Sequence, residues 1–259
     1  MNLSDVSRTA ILTLLGHVVA SEKENIDFND PMAALCLERL VAIASADEKK
    51  WIIRQKRMLN TLDARAMARR VETFDSIANL FISNHPKCTV INLGCGFDTR
   101  FWRIEKKDCR FVEIDFPEVV ALKREILKDQ LDYELIGCSV LDAAWIDKVI
   151  TNGNSNFLLL AEGLFMFLPE QDVKNLLQRL ALKLICSHLV VEMAHEKWTK
   201  GFWKMIFALQ ARVWGLDVSM AFGIKDPLDI ESYGNGLKVL DNVKGSSIGP
   251  IITVSINAA

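Results

Sequence analysis

Several features that would assign a chain to a special class of protein are missing from this sequence. Its two long apolar stretches, residues 10–20 and 157–168, fall short of the roughly twenty residues that span a bilayer. The 31 Lys and Arg residues do not exceed the 33 Asp and Glu residues, so the chain has no surplus positive charge to hold a nucleic acid. We therefore expect neither a membrane nor a nucleic acid as partner, and we expect small molecules or other proteins instead.

Cysteine and histidine are too scattered to indicate a metal site or a nucleophilic catalyst. No CxxC pair occurs and no His lies at ligand spacing from a Cys, so we predict no zinc site. The four His residues form no recognisable Ser/His/Asp or Cys/His arrangement. Unpaired thiols favour a reducing compartment, and we expect the protein in the cytoplasm. The six cysteines are Cys36, Cys88, Cys95, Cys109, Cys138 and Cys186.

The N-terminal apolar stretch resembles the core of a secretion signal, but a helix explains it better. Asp5 weakens the positive region that a signal needs, and Gly16 and His17 interrupt the apolar run. The apolar side chains recur at helical spacing, and Ser4 or Asp5 supplies a cap. We therefore predict a helix with one face formed by Leu12, Leu15 and Val19.

The first third of the chain is predicted to be helical, and the rest alternates strands with helices. Asp30 and Pro31 provide a cap and a first-turn proline for a helix over 32–44, and a second helical zone covers 48–83. From Cys88 onward, short apolar runs alternate with helical patterns, which indicates βαβ units and a parallel sheet. The predicted strands are 89–93, 110–114, 133–136, 157–160 and 189–192, followed by 237–243 and 251–256 in the tail.

Glycines and a carboxylate follow the first two predicted strands, at the edge where open α/β sheets bind their ligands. Gly94 and Gly96 allow a ligand to approach the backbone, and Asp115 lies about twenty residues further on, where an acidic side chain meets ribose hydroxyls. Thr99 occupies the place of the third glycine of a dinucleotide fingerprint, so the pattern favours an adenosine ligand without a diphosphate. Two alternatives stay open: the glycines serve only steric needs, or Asp115 is a solvated carboxylate that caps the helix at Pro117.

Two further strand ends contribute polar groups to the same edge. Glu162 ends the most apolar predicted strand, where an unpaired charge costs several kcal/mol. We predict a functional role for Glu162, with a structural ion pair as the alternative. Ser139 and Val140 follow the third strand and can offer a hydroxyl and backbone groups to an adenine ring.

Several segments carry a more specific pattern than these single residues. The run LGCGFDTR at 93–100 extends well beyond a bare GxG. It occurs in order with DPMA at 30–33, Arg70 followed by Asp75, EIDFPEV at 113–119, SVLD at 139–142 with Trp145, and AEGLFMFLP at 161–169. With these motifs, nearly the whole chain resembles the leucine carboxyl methyltransferase family, most closely its bacterial branch of polyketide-type carboxyl O-methyltransferases.

This resemblance implies a class I S-adenosylmethionine-dependent methyltransferase, with a Rossmann-like α/β fold, a seven-stranded, mostly parallel sheet and a helical N-terminal cover. It also implies that Arg70, on the helix before the first strand, binds the methionine carboxylate of the cofactor. The residues alone do not separate Arg70 from its neighbour Arg69. The remaining implied cofactor contacts are Gly94, Gly96 and Asp98 in the first loop, Asp115 at the ribose, Ser139 and Val140 at the adenine, and Glu162 by the methionine moiety.

Three positions depart from the family pattern. His17 lies near a place where relatives carry Arg or Lys against the cofactor, Ser139 replaces an Asp of the leucine-specific branch, and Phe167 replaces a frequent Tyr. The acceptor pocket is predicted between the helical N-terminal segment and an aromatic insert, although aromatic side chains at helical spacing also suit a core. Its candidate wall residues are Phe165, Phe167, Trp198, Phe202 and Trp203.

Together these features predict an S-adenosylmethionine-dependent O-methyltransferase that esterifies a carboxylate of a small polyketide-like or other metabolite. A carboxylate is ionised at pH 7, so we expect no catalytic general base, and alignment of the reactants carries the reaction. The alternatives are methylation of a protein C-terminus, methylation of a phenol, and a non-catalytic cofactor-binding scaffold. We expect a single domain over 1–259, made of a helical cover (1–84), a cofactor-binding core (85–194), a helical aromatic insert (195–235) and the final strands (236–259).

Overall fold

The computed structural model describes residues 5–150, 156–245 and 248–258. Its strands are β1 (Thr89–Leu93), β2 (Arg110–Asp115), β3 (Glu134–Gly137), β4 (Phe157–Ala161), β5 (Ser187–Glu192), β6 (Leu237–Lys244) and β7 (Pro250–Ile256). They form one seven-stranded sheet in the order β3-β2-β1-β4-β5-β7-β6. Strands β1 to β5 pair in parallel, and β7 runs antiparallel to β5 and β6. The predicted strands and the predicted α/β class are therefore confirmed.

Helices cover the sheet and precede it. Four of them form the N-terminal part of the chain: α1 (Asp5–Ser21), α2 (Pro31–Ile43), α3 (Ala46–Met58) and α4 (Thr61–Asn84). The others within the described residues are α5 (Arg100–Arg103), α6 (Pro117–Leu127), α7 (Ala144–Val149), α8 (Glu170–Lys183) and α9 (Gly201–Val213). The predicted cap of α2 is confirmed, because the Asp30 carboxylate accepts a hydrogen bond from the Ala33 N–H.

The helical zone predicted over 48–83 consists of two helices. A capping box starts α3, in which Ser45 and Glu48 each accept a hydrogen bond from the other's backbone N–H. The chain then turns extended at Leu59, and the Asn60 side chain caps α4 by accepting from the N–H groups of Leu62 and Asp63. The prediction of one continuous helical zone rested on apolar spacing alone. It missed the break because it gave no weight to the preference of Asn for the N-cap position.

The central strands are buried on both faces. Every residue of β1 and β4 is buried, as expected for strands covered by helices on either side. Because successive side chains alternate between faces, Ile91 joins the apolar cluster that contains Trp145, and Val90 joins the one that contains Phe74. The two helical layers therefore hold the sheet rigidly and fix the positions of its strand ends.

Helices α1 and α2 pack as a cover against the Rossmann-like core. Ile11, Leu14, Leu15 and Val18 of α1 lie in an apolar cluster that also contains Phe97 and residues of α6. Leu15 and Val19 are buried and Leu12 is half-buried, in agreement with the predicted face, whereas the predicted cap at Ser4 lies outside the described residues. Within the described ranges, no helix is long and apolar enough to cross a membrane.

Candidate functional site

The loop after β1 brings backbone, rather than side chains, to the carboxyl edge of the sheet. Gly94 and Gly96 have positive φ values of 62° and 51°, a conformation that side chains disfavour. A Cβ atom on Gly94 would lie 2.9 Å from Leu164 Cδ1, and one on Gly96 would lie 3.0 Å from Ala10 Cβ of α1. Both positions therefore require glycine, and the cover lies directly against this loop.

Asp115, the last residue of β2, points its carboxylate toward the glycine loop. Its Oδ2 accepts from the Gly96 N–H at 2.6 Å, and its Oδ1 accepts from the Phe116 N–H at 2.7 Å. Burial raises its pKa, although these two N–H groups oppose the shift. Asp115 is only 7% exposed, and the cap residue of α6 is Phe116, which makes no side-chain cap bond. The alternative of a solvated, helix-capping Asp115 is therefore wrong.

Lys123 of α6 binds the backbone of the same loop. Its Nζ donates to the Asp98 carbonyl oxygen and to Glu113 Oε2, each at 2.6 Å, and both side chains of the Lys123–Glu113 pair are fully buried. Burial raises the pKa of Glu113, and the ammonium group of Lys123 opposes that shift. The helical spacing of Lys123 gave no sign of this role, which depends on how α6 packs under the loop.

Glu162, directly after β4, pairs with two arginines. Its Oε1 accepts from Arg70 Nε at 2.7 Å and its Oε2 accepts from Arg100 Nη2 at 2.6 Å. Burial alone would raise the pKa of Glu162, but the two guanidinium groups outweigh it and hold that pKa below its ordinary value. The predicted ion-pair alternative for Glu162 is thus present in the structure. Its cofactor role stays a prediction.

The side chains of Arg70 and Arg69 point in different directions from α4. Arg70 is 14% exposed, and its Nη1 also lies 3.5 Å from Glu192 Oε2 at the end of β5. Arg69, the next residue on the same helix, is exposed. The structure therefore places Arg70, and not Arg69, at the carboxyl edge of the sheet beside the end of β4, where the resemblance puts the methionine end of the cofactor.

Two arginines of α5, Arg100 and Arg103, extend this arrangement into an ion-pair cluster. The fully buried Arg100 donates from Nε to Asp75 Oδ1 at 2.7 Å and also contacts Asp98 and Glu162. Arg103 donates from Nε to Asp75 Oδ2 at 2.7 Å and from Nη1 to Asp30 Oδ2 at 2.6 Å. Asp98, predicted as a cofactor contact, accepts from both arginines and from Asn92 Nδ2 in this structure.

The ion-pair cluster holds more carboxylates than guanidinium groups. Its members are Asp30, Asp75, Asp98, Glu162 and Glu192 on one side and Arg70, Arg100 and Arg103 on the other. These side chains lie largely out of water, where the electrostatic interactions between them are strong. Sequence reasoning did not place Arg100, Arg103 and Asp30 in a common site, because α2, α4 and the loop after β1 meet only in the fold.

His17 of α1 contacts this cluster through Asp30. Its Nδ1 lies 3.1 Å from Asp30 Oδ2, which also accepts from the Thr99 hydroxyl at 2.5 Å. His17 is 2% exposed, and its Nε2 has no hydrogen-bond partner among the described residues. Ala10 and His17 are seven residues apart on α1, so they share the face that meets the glycine loop.

The residues predicted to contact the adenine ring lie on the loop after β3. Ser139 is half-buried and its Oγ accepts from the Leu141 N–H at 3.2 Å, while the buried Val140 accepts from Trp145 Nε1 at 2.9 Å. The preceding Cys138 N–H donates to the Asp115 carbonyl, which ties this rim to β2. The side-chain roles of Ser139 and Val140 toward a ligand stay predictions.

Four of the five predicted acceptor-wall residues lie in one region of apolar and edge-to-face ring contacts, and Phe165 does not. Phe167 and Trp198 pack in one small apolar cluster with Met166 and Met220. The Trp198 ring meets that of Trp203 at 5.3 Å, which in turn lies 5.9 Å from the largely exposed Phe202. Phe165 is fully enclosed in the main core, so its expected role as a wall is corrected to one in packing. Sequence spacing did not separate Phe165 from Phe167, because they lie on opposite sides of one 3₁₀ turn.

Comparison with known sequences finds a matching family profile and several relatives. Residues 10–181 match the profile of the family described as leucine carboxyl methyltransferase. The tetracenomycin polyketide synthesis O-methyltransferase TcmP of Streptomyces glaucescens is 31% identical over 179 residues, which cover 69% of this chain and 64% of that protein. The S-adenosyl-L-methionine-dependent methyltransferase dpfgK of Gibberella zeae is 22% identical over 92% of this chain and 82% of its own length.

Solved structures support the fold assignment. Magnesium protoporphyrin IX methyltransferase (ChlM) from Synechocystis PCC 6803 with bound SAH superposes with a TM-score of 0.52 at 14% identity, over 76% of this chain and 87% of that one. The mitomycin 7-O-methyltransferase MmcR gives a TM-score of 0.51 at 15% identity, over 84% of this chain and 60% of that one. The fold is thus that of class I S-adenosylmethionine-dependent methyltransferases.

Proposed function

This chain belongs to the leucine carboxyl methyltransferase family of S-adenosylmethionine-dependent enzymes, and we propose that it methylates the carboxylate of a small aromatic, polyketide-like metabolite. The observation that carries the proposal is the extent of the family match, which runs from residue 10 to residue 181. It therefore includes most of α1, all of α2 to α4, and the strands β1 to β4 with the loops at their carboxyl ends. The cofactor edge lies largely within this match, whereas the aromatic insert lies outside it.

The residues at the carboxyl edge fit the cofactor. Gly94 and Gly96 turn the loop after β1 at positive φ, and the carboxylate of Asp115 accepts a hydrogen bond from the Gly96 N–H beside it. The carboxylates of the ion-pair cluster lie at the same edge, where they suit a ligand with a sulfonium and an ammonium charge. We expect Arg70 at the methionine carboxylate and Asp115 at the ribose. Asp98, Ser139, Val140 and Glu162 complete the expected contacts.

Methylation of a carboxylate requires little proton transfer by side chains of the protein. When bound, the cofactor supplies a methyl group that its sulfonium charge activates. A carboxylic acid with a pKa near 4 is already ionised at pH 7, so no side chain has to remove a proton. Holding the acceptor oxygen in line supplies roughly 7 to 11 kcal/mol of the barrier. The exposed rings of Phe202 and Trp203 meet edge to face, and either ring offers an apolar face to an aromatic acceptor.

One observation favours a second candidate, the methylation of a phenol. A phenol has a pKa near 10 and needs a base at pH 7. His17 has one ring nitrogen on Asp30 and the other without a partner among the described residues, which is the arrangement of an oriented general base. We rank this candidate second because the family match favours carboxylates and because His17 is buried.

A methyl-transfer assay separates the two candidates. Aromatic carboxylic acids, matched phenols and a peptide with a free C-terminus are incubated with methyl-labelled cofactor between about pH 6 and 9. A carboxylate acceptor predicts turnover of the acids at a rate that stays flat with pH. A phenol acceptor predicts a rate that rises with pH.

The variant His17→Gln sharpens this assay, because glutamine keeps hydrogen bonding but cannot act as a base near neutral pH. On the carboxylate proposal its rate with acids stays within a few-fold of wild type and keeps the flat pH profile. A loss of about a hundredfold or more would assign the histidine a proton-transfer role and overturn the proposal. Turnover of the peptide alone would move the acceptor to a protein C-terminus.

A further inference from the structure

Two cysteines outside the cofactor edge lie in contact. Cys88 Sγ and Cys109 Sγ are 2.8 Å apart, and both are free thiols. Cys88 immediately precedes β1 and Cys109 immediately precedes β2. The pair therefore bridges the amino ends of two neighbouring parallel strands, at the opposite end of the sheet from the glycine loop.

The backbone around this pair has the geometry that a disulfide needs. Thr89 pairs with Arg110 in the ladder, and the Arg110 N–H donates to the Cys88 carbonyl at 3.0 Å. Cys88 and Cys109 thus continue the register by one step. Neighbouring strands lie about 4.8 Å apart, which falls within the Cα separation of roughly 4.4 to 6.8 Å found across disulfides. Linking the two sulfur atoms needs little movement of either strand.

The two thiols differ in access. Cys88 is fully buried, and this burial raises the pKa of its thiol. Cys109 is half-buried, and its Sγ lies within 3.8 Å of the carbonyl oxygen of His85 and 3.6 Å of that of Pro86, at the surface between α4 and β2. An oxidant from solution therefore meets Cys109 first, with Cys88 behind it as the resolving thiol.

We propose that Cys88 and Cys109 form a reversible redox pair in this protein. A peroxide converts the Cys109 thiol to a sulfenic acid and is itself reduced to water. The Cys88 sulfur then attacks Cys109 Sγ, a disulfide bond forms, and the hydroxyl of the sulfenic acid leaves as a second water with the thiol proton. A small dithiol restores both thiols by exchange.

The disulfide acts on stability rather than on the cofactor. It closes a loop from 88 to 109 that contains the glycine loop and α5, which restricts the unfolded chain. Strand β1 lies between Cys88 and Gly94 and separates them by about 20 Å, at roughly 3.3 Å for each of six residue steps. We therefore expect the oxidised protein to melt roughly 5 to 10 °C higher and to bind S-adenosylhomocysteine with unchanged affinity.

The test equilibrates the purified full chain in reduced and oxidised glutathione, blocks the remaining thiols and maps the linkages by mass spectrometry. Trypsin releases Cys88 within 88–100 and Cys109 within 108–110, and fragmentation separates Cys88 from Cys95 in the first peptide. We expect the 88–109 linkage in most molecules, a higher Tm, and reversal of both by dithiothreitol. The variant Cys109→Ser loses the linkage and the gain in Tm. The control Cys186→Ser, which removes an exposed thiol elsewhere, keeps both.

Two results would overturn the redox pair. In the first, both thiols remain open to alkylation after denaturation, although glutathione has reached equilibrium with the protein. In the second, Cys109 ends as a glutathione adduct without a link to Cys88. Because mass mapping is done on the wild-type chain, the answer does not depend on how well either variant folds.

Discussion

Replacement of Arg70 by alanine tests the site most sharply, because its neighbour Arg69 is a matched control on the same helix. Arg70 turns to the carboxyl edge and Arg69 turns to solvent. A hydrogen bond to a charged group contributes about 1.5 to 3 kcal/mol, so losing one to the cofactor weakens binding roughly 10- to 150-fold. Arg69→Ala leaves the affinity unchanged.

Arg70→Ala also acts on stability, and the size follows from the ion-pair cluster. Removing one partner of a buried ion pair costs about 3 to 5 kcal/mol. We expect a value of about 3 kcal/mol, at the lower end of that range, because Arg100 still neutralises Glu162. At about 2 to 4 °C per kcal/mol for a chain of this size, the Tm falls by roughly 6 to 12 °C.

Calorimetric titration with S-adenosylhomocysteine, carried out well below the lowered Tm, separates the two effects. The conservative variant Arg70→Lys keeps the charge but loses the forked donor geometry, and it is expected to recover part of the affinity. Equal affinities for wild type and Arg70→Ala would refute the assignment of Arg70 to the cofactor. A loss in Arg69→Ala that matched the loss in Arg70→Ala would refute the geometric distinction between them.

Three further perturbations test other parts of the account. Arg100→Gln removes one buried ion-pair partner from each of Asp75, Asp98 and Glu162. Its Tm should therefore fall more than that of Arg39→Gln, which breaks a partly exposed pair with Asp129. Equal Tm values for the two variants would contradict this expectation. Gly96→Val adds a side chain at positive φ against Ala10, and titration should detect no cofactor binding while circular dichroism still shows a folded chain. The pKa of Glu162 is lowered in the folded state, so its contribution to stability is complete above its ordinary value of 4.5 and is lost as the pH falls. Urea unfolding should therefore show a gap between wild type and Glu162→Gln that is constant near neutral pH and shrinks below pH 4.5, whereas a gap that widens in acid would contradict the sign.

The sheet was predictable because its strands are short, apolar and separated by clear turn and helix signals. Strand β1 was predicted with both its ends, since Gly94 stops it directly at the carboxyl edge. The third strand was shifted by one residue, to Glu134–Gly137, because Tyr133 reads as part of an apolar run although its hydroxyl bonds Glu113. Local pattern was sufficient wherever burial and turn chemistry agreed.

The site was only partly predictable, because its charges meet through tertiary contacts. The sequence pattern predicted Asp115 and Glu162 at two strand ends, and the sheet order places these ends on either side of β1 at one edge. It gave no sign that Arg103 would pair with Asp30 across 73 positions, or that His17 of α1 would contact Asp30 at the start of α2. Those contacts depend on how the helices pack over the loop after β1, and no periodicity encodes that packing.

The type of bond that joins the transferred methyl group to the acceptor tests the proposed function most directly. Methyl-labelled cofactor, the protein and an aromatic carboxylic acid are incubated together, and the product is treated with mild alkali. A methyl ester hydrolyses under these conditions and releases the label as volatile methanol, as the account predicts. Label that stays on the acceptor after alkali would identify an ether or an amine and contradict it.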